Sequence, residues 1–245
     1  MSPIPVTMWQ ACVNGARRPV EHPALPVSAA AIGAACADAV AAGASDLHVH
    51  PKNMAGQDTL DPVVVGEVLT AVRLRCPGIS VGITTGAWAE ASDRIATVTA
   101  WSTLPDHASV NFHEPGATEL AHLLLERGIA VDAGLYTASD GCDELLSSGL
   151  ATSCRYLLVE VTHTDTNIGL AEAAGITRRL QKINRPLLLH GEEPTAWPVL
   201  REALRLGLAT RIGLEDVLDL PDGVRARDNA DLIRAATPYF SGVRR

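Results

Sequence analysis

Two histidines one residue apart, His48 and His50, close the apolar stretch Ser45-Asp46-Leu47-His48-Val49-His50, which follows Ala41-Ala42-Gly43-Ala44. In an extended segment, residues two apart point to the same side, so both imidazoles project into one space. Two neutral imidazoles held this way are half of a divalent metal site, with zinc the usual occupant. A pair of hydrogen-bonded core histidines is the alternative. A second concentration of chemistry is Thr210-Arg211-Ile212-Gly213-Leu214-Glu215-Asp216. Alternation places Arg211, Gly213 and Glu215 on one face, with Asp216 where the strand gives way to its loop. Glu215 can then complete a two-histidine, one-carboxylate set, which leaves a coordination position open for water or substrate. Arg211 can grip a carboxylate through its fork or pair with Asp216, and Gly213 leaves room for an approach to the backbone. The competing reading is a buried Arg–Glu/Asp bridge that pins the last strand.

These residues need elements to position them, and the chain supplies a regular alternation. Short apolar runs predict strands over Val6 to Val13, Leu47 to His50, Ile79 to Thr85, Ala108 to Phe112, Ala130 to Tyr136, Tyr156 to Val161, Pro186 to His190 and Thr210 to Leu214. Helical spacing predicts helices from about Ser28 to Ala42, Pro62 to Arg75, Asp93 to Ala100, Leu120 to Glu126, Asp143 to Ser148, Leu170 to Lys182, Trp197 to Leu206 and Asn229 to Ala236. Eight strands, each followed by a helix, with no linker or second composition class, is the pattern of one (β/α)₈ TIM barrel spanning residues 1–245. A doubly wound open sheet is the alternative, but no Gly-x-Gly-x-x-Gly follows the first strand.

In such a barrel the chemistry sits at the C-terminal ends of the strands. Those ends carry Asn14, His48, His50, Thr84, Thr85, Asn111, His113, Glu114, Tyr136, Glu160, His163, His190, Arg211, Glu215 and Asp216. His22, His107 and His122 fall away from them and read as surface residues, and Glu192 and Glu193 read as flanking the next helix. Composition narrows the class. Of 245 residues, 47% are apolar and 20% charged, and the net charge of −8 without a basic cluster argues against nucleic acid as a partner. No apolar run spans a bilayer. No basic and apolar leader precedes the first strand, and the odd, scattered cysteines Cys12, Cys36, Cys76, Cys142 and Cys154 read as reduced thiols, so a cytoplasmic protein is expected.

Several stretches, in order, resemble the β-keto acid cleavage enzymes, the relatives of 3-keto-5-aminohexanoate cleavage enzyme. They are Ala11-Cys12-Val13-Asn14-Gly15-Ala16, Leu47-His48-Val49-His50, Ile83-Thr84-Thr85-Gly86, and Arg211-Ile212-Gly213-Leu214-Glu215-Asp216 running on through Leu220-Pro221-Asp222-Gly223 and Arg227-Asp228-Asn229-Ala230. The resemblance implies a zinc-dependent barrel that takes a β-keto acid and acetyl-CoA and yields acetoacetate and a new CoA thioester through retro-Claisen cleavage. It implies zinc ligands at His48, His50 and Glu215, a proton-abstracting dyad at Arg211 and Asp216, and a catalytic hydroxyl at Thr84. It also implies a homo-oligomer.

Departures from the family pattern point to a shortened, divergent member with a rebuilt pocket. Pro51-Lys52-Asn53 stands where the family has an apolar residue, an arginine and an acid, so Lys52 loses a bidentate contact to carboxylate or CoA phosphate. Glu114 on the loop after Asn111 favours an altered, cationic substrate. Arg17 stands where at least one relative has a glutamate, and the sequence lacks the family's longer C-terminal tail beyond Arg245. Substrate contacts are expected from Thr85, Asn111, Glu114, Glu160 and His190, with Glu160 inward-facing beside Leu158. Trp88 either covers the site or packs. Two rival functions stay open: a metal-dependent hydrolase with Asp216 as base, which usually needs a bridging lysine, and a non-catalytic keto-acid binder.

Overall fold

A computed structural model describes residues 9–90 and 93–241. Eight parallel strands alternate with helices: β1 (Trp9–Cys12), α1 (Ala29–Ala41), β2 (Asp46–Val49), α2 (Pro62–Arg75), β3 (Ser80–Thr84), α3 (Arg94–Thr99), β4 (His107–Asn111), α4 (Ala117–Glu126), β5 (Ala130–Tyr136), α5 (Gly141–Ser148), β6 (Tyr156–Val161), α6 (Thr166–Leu180), β7 (Leu187–Gly191), α7 (Ala196–Arg205), β8 (Thr210–Ile212) and α8 (Asn229–Ser241). The hydrogen-bonded order is β7-β6-β5-β4-β3-β2-β1-β8. A single bridge, Leu188 to Ala209, brings β7 back to β8 and nearly closes the ring. This is the (β/α)₈ barrel that the alternation predicts. The Val6–Met8 part of the predicted first strand lies outside the described residues.

The helix starts follow from local chemistry. Ser28 accepts from the Ala31 amide, Asp61 from Val63 and Val64 ahead of Pro62, and Asp165 from Asn167 and Ile168. These are side-chain caps for backbone donors that a helix leaves unpaired. The helices then bury aliphatic faces against the strands, whose outward side chains such as Leu47, Val49, Ile83 and Val131 are fully enclosed.

The N-terminal end of the barrel is plugged by charge. Arg155, just before β6, reaches across the interior to Asp46 of β2 (3.1 Å) and to Asp132 of β5 (2.6 Å), and Gln10 of β1 donates to Asp46 at 2.7 Å. His107, at the start of β4, sits 2.9 Å from Asp132 and is wholly buried. His107 is therefore not the surface residue expected from sequence. Neither is His22, which is buried with Nε2 donating to the Ala226 carbonyl at 2.8 Å. His122 is exposed. All five cysteines are free and buried.

Candidate active site

At the C-terminal end, β2 delivers His48 and His50 side by side, with ring centroids 5.2 Å apart and planes at 80°. His50 lies one residue past the strand, and Asn14 keeps it in register. The Asn14 side chain accepts from the His50 amide (2.9 Å) and donates to the His50 carbonyl (2.8 Å), continuing the β1–β2 ladder beyond its last backbone pair. Asn14 is thus spent on backbone geometry.

Past β8 the chain makes a tight turn, with the Asp216 amide donating to the Gly213 carbonyl at 2.9 Å. A Cβ on Gly213 would lie 1.9 Å from the Cys12 carbonyl, so what approaches this backbone is β1 itself and not a ligand. Gly15, at φ +57°, similarly leaves the space that the Glu215 side chain fills. Asn229, opening α8, ties both loops together by donating to the Val13 carbonyl and accepting from the Leu214 amide.

The result is convergence. Glu215 Oε1 lies 3.6 Å from His50 Nε2, and Oε2 lies 3.9 Å from His48 Nε2. The three ligand atoms fall within 4.8 Å of one another. Burial pushes His48 down to about 3, so it stays a neutral imidazole with a free lone pair. Burial opposes charge on His50 as well, but Glu215 and Asp58 outweigh it and raise the group to about 9. Glu215 overcomes its own burial through Arg211, His50 and His48 and is held well below the usual carboxylate range. Its Oε2 is buried without a hydrogen-bond partner. A buried, ionised carboxylate with an unused oxygen beside two imidazoles is a donor set that fits a divalent cation with an open position.

These groups line one side of a cavity of about 280 Å³, with Thr84, Ser109, Asn111, Tyr136, Glu160, Glu192 and Arg211 around the remainder. Arg211 donates from Nη2 to Glu215 Oε1 (2.9 Å) and from Nε to Asp216 Oδ1 (3.0 Å) and His190 Nδ1 (3.1 Å). Asp216 is fully buried behind that guanidinium and not on the cavity wall, and its Oδ2 has no partner. His190 is also off the wall, clasped between Arg211 and Glu160 Oε2 at 3.3 Å.

Two other expected contacts are drawn elsewhere, and Lys52 is withdrawn as well. Thr85 donates to the Ser109 carbonyl at 2.6 Å and is fully buried. Glu114 pairs with Arg94 and accepts from the Ala87 and Asn111 nitrogens (2.9 Å each), so its charge is spent on the loop carrying Trp88. Lys52 is enclosed, donating to Asp58 (2.6 Å) and the Gly15 carbonyl (2.8 Å), and does not line the cavity.

Glu192 does line it, while also flanking the short helical turn that follows as expected. Strand β7 runs to Gly191, one residue beyond expectation, which puts Leu188, His190 and Glu192 in phase. Burial and the neighbouring Glu160 carboxylate push Glu192 up so that it keeps its proton at neutral pH, while His190 holds Glu160 ionised. Ser109 was legible by the same alternation, two residues before Asn111. Asp58 carried a weaker signal, an acid just past an Asn-x-x-Gly turn.

A nearly closed parallel barrel with a two-histidine, one-carboxylate cluster at its C-terminal mouth defines a class of enzyme-like scaffolds. The comparisons narrow it. The beta-keto acid cleavage enzyme family matches residues 7–245, and the chain belongs to that family. No curated protein matches it in sequence. Among solved structures, a binary complex of ObcA with oxaloacetate superposes with a TM-score of 0.74 at 15% identity, covering 90% of this chain and 64% of that one. A ternary complex of ObcA with a C4-CoA adduct and oxalate gives 0.70 at 15% identity, with the same coverage of both chains. A 3-dehydroquinate dehydratase from Geobacillus kaustophilus HTA426 gives 0.64 at 12% identity, covering 97% and 92%. This chain therefore spans about 64% of the length of ObcA, and at these identities the likeness is one of fold.

Proposed function

We propose that this protein is a divalent-metal-dependent β-keto acid cleavage enzyme, with zinc as its ion, that converts a β-keto acid and acetyl-CoA into acetoacetate and a new acyl-CoA. The observation that carries this reading is the convergence of His48, His50 and Glu215, with one Glu215 oxygen unpartnered, on the cavity of a family member. Neighbouring folds captured with oxaloacetate and with a C4-CoA adduct support a keto acid and a CoA thioester as the ligand classes. An ion held by the three residues would supply Lewis-acid stabilisation of negative charge on a substrate oxygen.

The remaining work falls to the chain. In the overall exchange, the carbon between the two carbonyls loses a proton and gains the acetyl group from the thioester. The freed thiolate then takes the original acyl group as the old carbon–carbon bond breaks, and the abstracted proton returns to the carbanion left behind, giving acetoacetate. Arg211 makes no hydrogen bond through Nη1 among the described residues and lines the cavity, so that nitrogen is the donor for a substrate carboxylate. Drawn toward the substrate, Arg211 uncovers the free oxygen of Asp216, the base of the dyad. Thr84 accepts the Gly86 amide at 3.1 Å and keeps its own proton for a developing oxyanion. Tyr136, Asn111 and the Glu160–Glu192 pair form the wall opposite the triad and contact the substrate's variable end.

The hydrolase alternative lacks its bridging lysine, because Lys52 is committed to Asp58 and no lysine lines the cavity among the described residues. The deciding experiment supplies zinc-loaded protein with a panel of β-keto acids, with and without acetyl-CoA. Acetoacetate forms only when both substrates are present; turnover indifferent to CoA would overturn the proposal.

A further inference from the structure

The segment after β2 folds into a small hairpin. Asn53 and Gln57 close it (2.8 Å), the Asn53 side chain accepts from the Ala55 and Gln57 amides, and Gly56 turns at φ +75°. Lys52 and Asp58 face each other across it as an antiparallel bridge. The turn thereby carries Asp58 back under His50. One oxygen, Oδ2, accepts from His50 Nδ1 at 2.7 Å and from Trp88 Nε1 at 2.8 Å. The other, Oδ1, accepts from Lys52 Nζ at 2.6 Å, and that ammonium is completely enclosed.

The ionised carboxylate can only accept, so Asp58 keeps a proton on His50 Nδ1 and leaves Nε2, facing Glu215, as the nitrogen that would ligate. Trp88, half exposed at the mouth, lies nearly parallel to the His50 ring with centroids 6.3 Å apart. One carboxylate oxygen therefore joins a candidate ligand to the residue over the cavity entrance.

We propose that Asp58 is the positioning residue of the metal centre: it fixes His50 in its ligating tautomer and transmits occupancy of the centre to Trp88. This inference rests on the metal-site reading above. Charge drawn from the imidazole when Nε2 ligates makes Nδ1–H a stronger donor, and the oxygen it pulls on is the one Trp88 holds. Lys52 supplies the compensating charge that an isolated buried carboxylate would lack.

The test measures Zn²⁺ affinity by competition with a chromophoric chelator for wild type, Asp58→Asn, Asp58→Glu and the double variant Lys52→Met/Asp58→Asn. The double variant removes the ammonium that the single one strands, so it keeps the test valid if Asp58→Asn folds poorly. Both Asn variants should bind zinc roughly 10- to 100-fold more weakly, with partial recovery in Asp58→Glu. Zinc should change tryptophan emission in wild type, and not in Trp88→Phe or in the Asn variants. Wild-type zinc affinity in folded Asn variants would overturn the positioning role and leave the metal centre standing. An emission change that persists in the Asn variants would overturn the link to Trp88. A wild-type protein that binds no zinc would overturn both this inference and the reading beneath it.

Discussion

The two ends of the barrel hold similar inventories of charge and use them in opposite ways. At the N-terminal end, Asp46 and Asp132 have both oxygens engaged by Gln10, Arg155 or His107. At the C-terminal end, two carboxylate oxygens, Glu215 Oε2 and Asp216 Oδ2, are buried without hydrogen bonds. A saturated carboxylate is a strut, whereas an unsaturated buried one is costly unless something else completes it. The difference separates carboxylates that tie strands together from carboxylates that keep an oxygen in reserve.

That separation can be broken by experiment. The largest effect is expected from Glu215→Gln, which should abolish stoichiometric zinc binding and lower kcat/KM by about 10³-fold or more, the loss of several kcal/mol of charge stabilisation. Metal analysis and thermal melting together check this, because the apo fold should persist. Arg155→Met should do the reverse. Stranding Asp46 and Asp132 should cost about 3 kcal/mol or more, a fall of about 10 °C in Tm, with zinc affinity retained. A loss of zinc binding in folded Arg155→Met would erase the contrast between the ends.

The same plug predicts a pH dependence. Burial disfavours charge on His107, but Asp132 and Asp46 outweigh it and raise the group to about 9 from an ordinary 6.5. A raised histidine contributes stability that is complete below its unfolded value and lost as pH rises through its folded value. Wild type should therefore lose stability in denaturant titrations between pH 7 and 10, and His107→Gln should show a flatter profile over that window. The smallest effect is expected at the cavity's far wall. Because Glu192 already carries a proton at neutral pH, Glu192→Gln should change kcat/KM there by about fivefold or less, the worth of one neutral hydrogen bond. A loss near that of Glu215→Gln would make Glu192 part of the chemistry.

What sequence made legible was periodic. The eight strands, the His48–His50 pair and the inward face of Arg211 and Glu215 follow from period two, and β5 and β6 run over the residues expected. What it concealed depends on contacts that no spacing reports. Glu114 and Lys52 look available as charged residues at a pocket, yet Arg94, brought in by the fold, and Asp58, across a short hairpin, consume them. Asp216 reads as a strand-end base, but the turn at Gly213 sets it behind Arg211. His107 was misplaced because it opens its strand at the opposite end, where the interior is also polar.

Strand β8 runs in register with β1, pairing Thr210 with Trp9, Arg211 with Gln10 and Ala11 with Ile212, but meets β7 through one bridge. His48, His50 and Glu215 therefore sit on or just past adjacent strands, β8-β1-β2, whereas Glu160, His190 and Glu192 lie across the β7–β8 closure, which Arg211 spans by donating to His190. A change on the Glu160–His190–Glu192 side is therefore felt at Glu215 through Arg211, which bonds both His190 and Glu215.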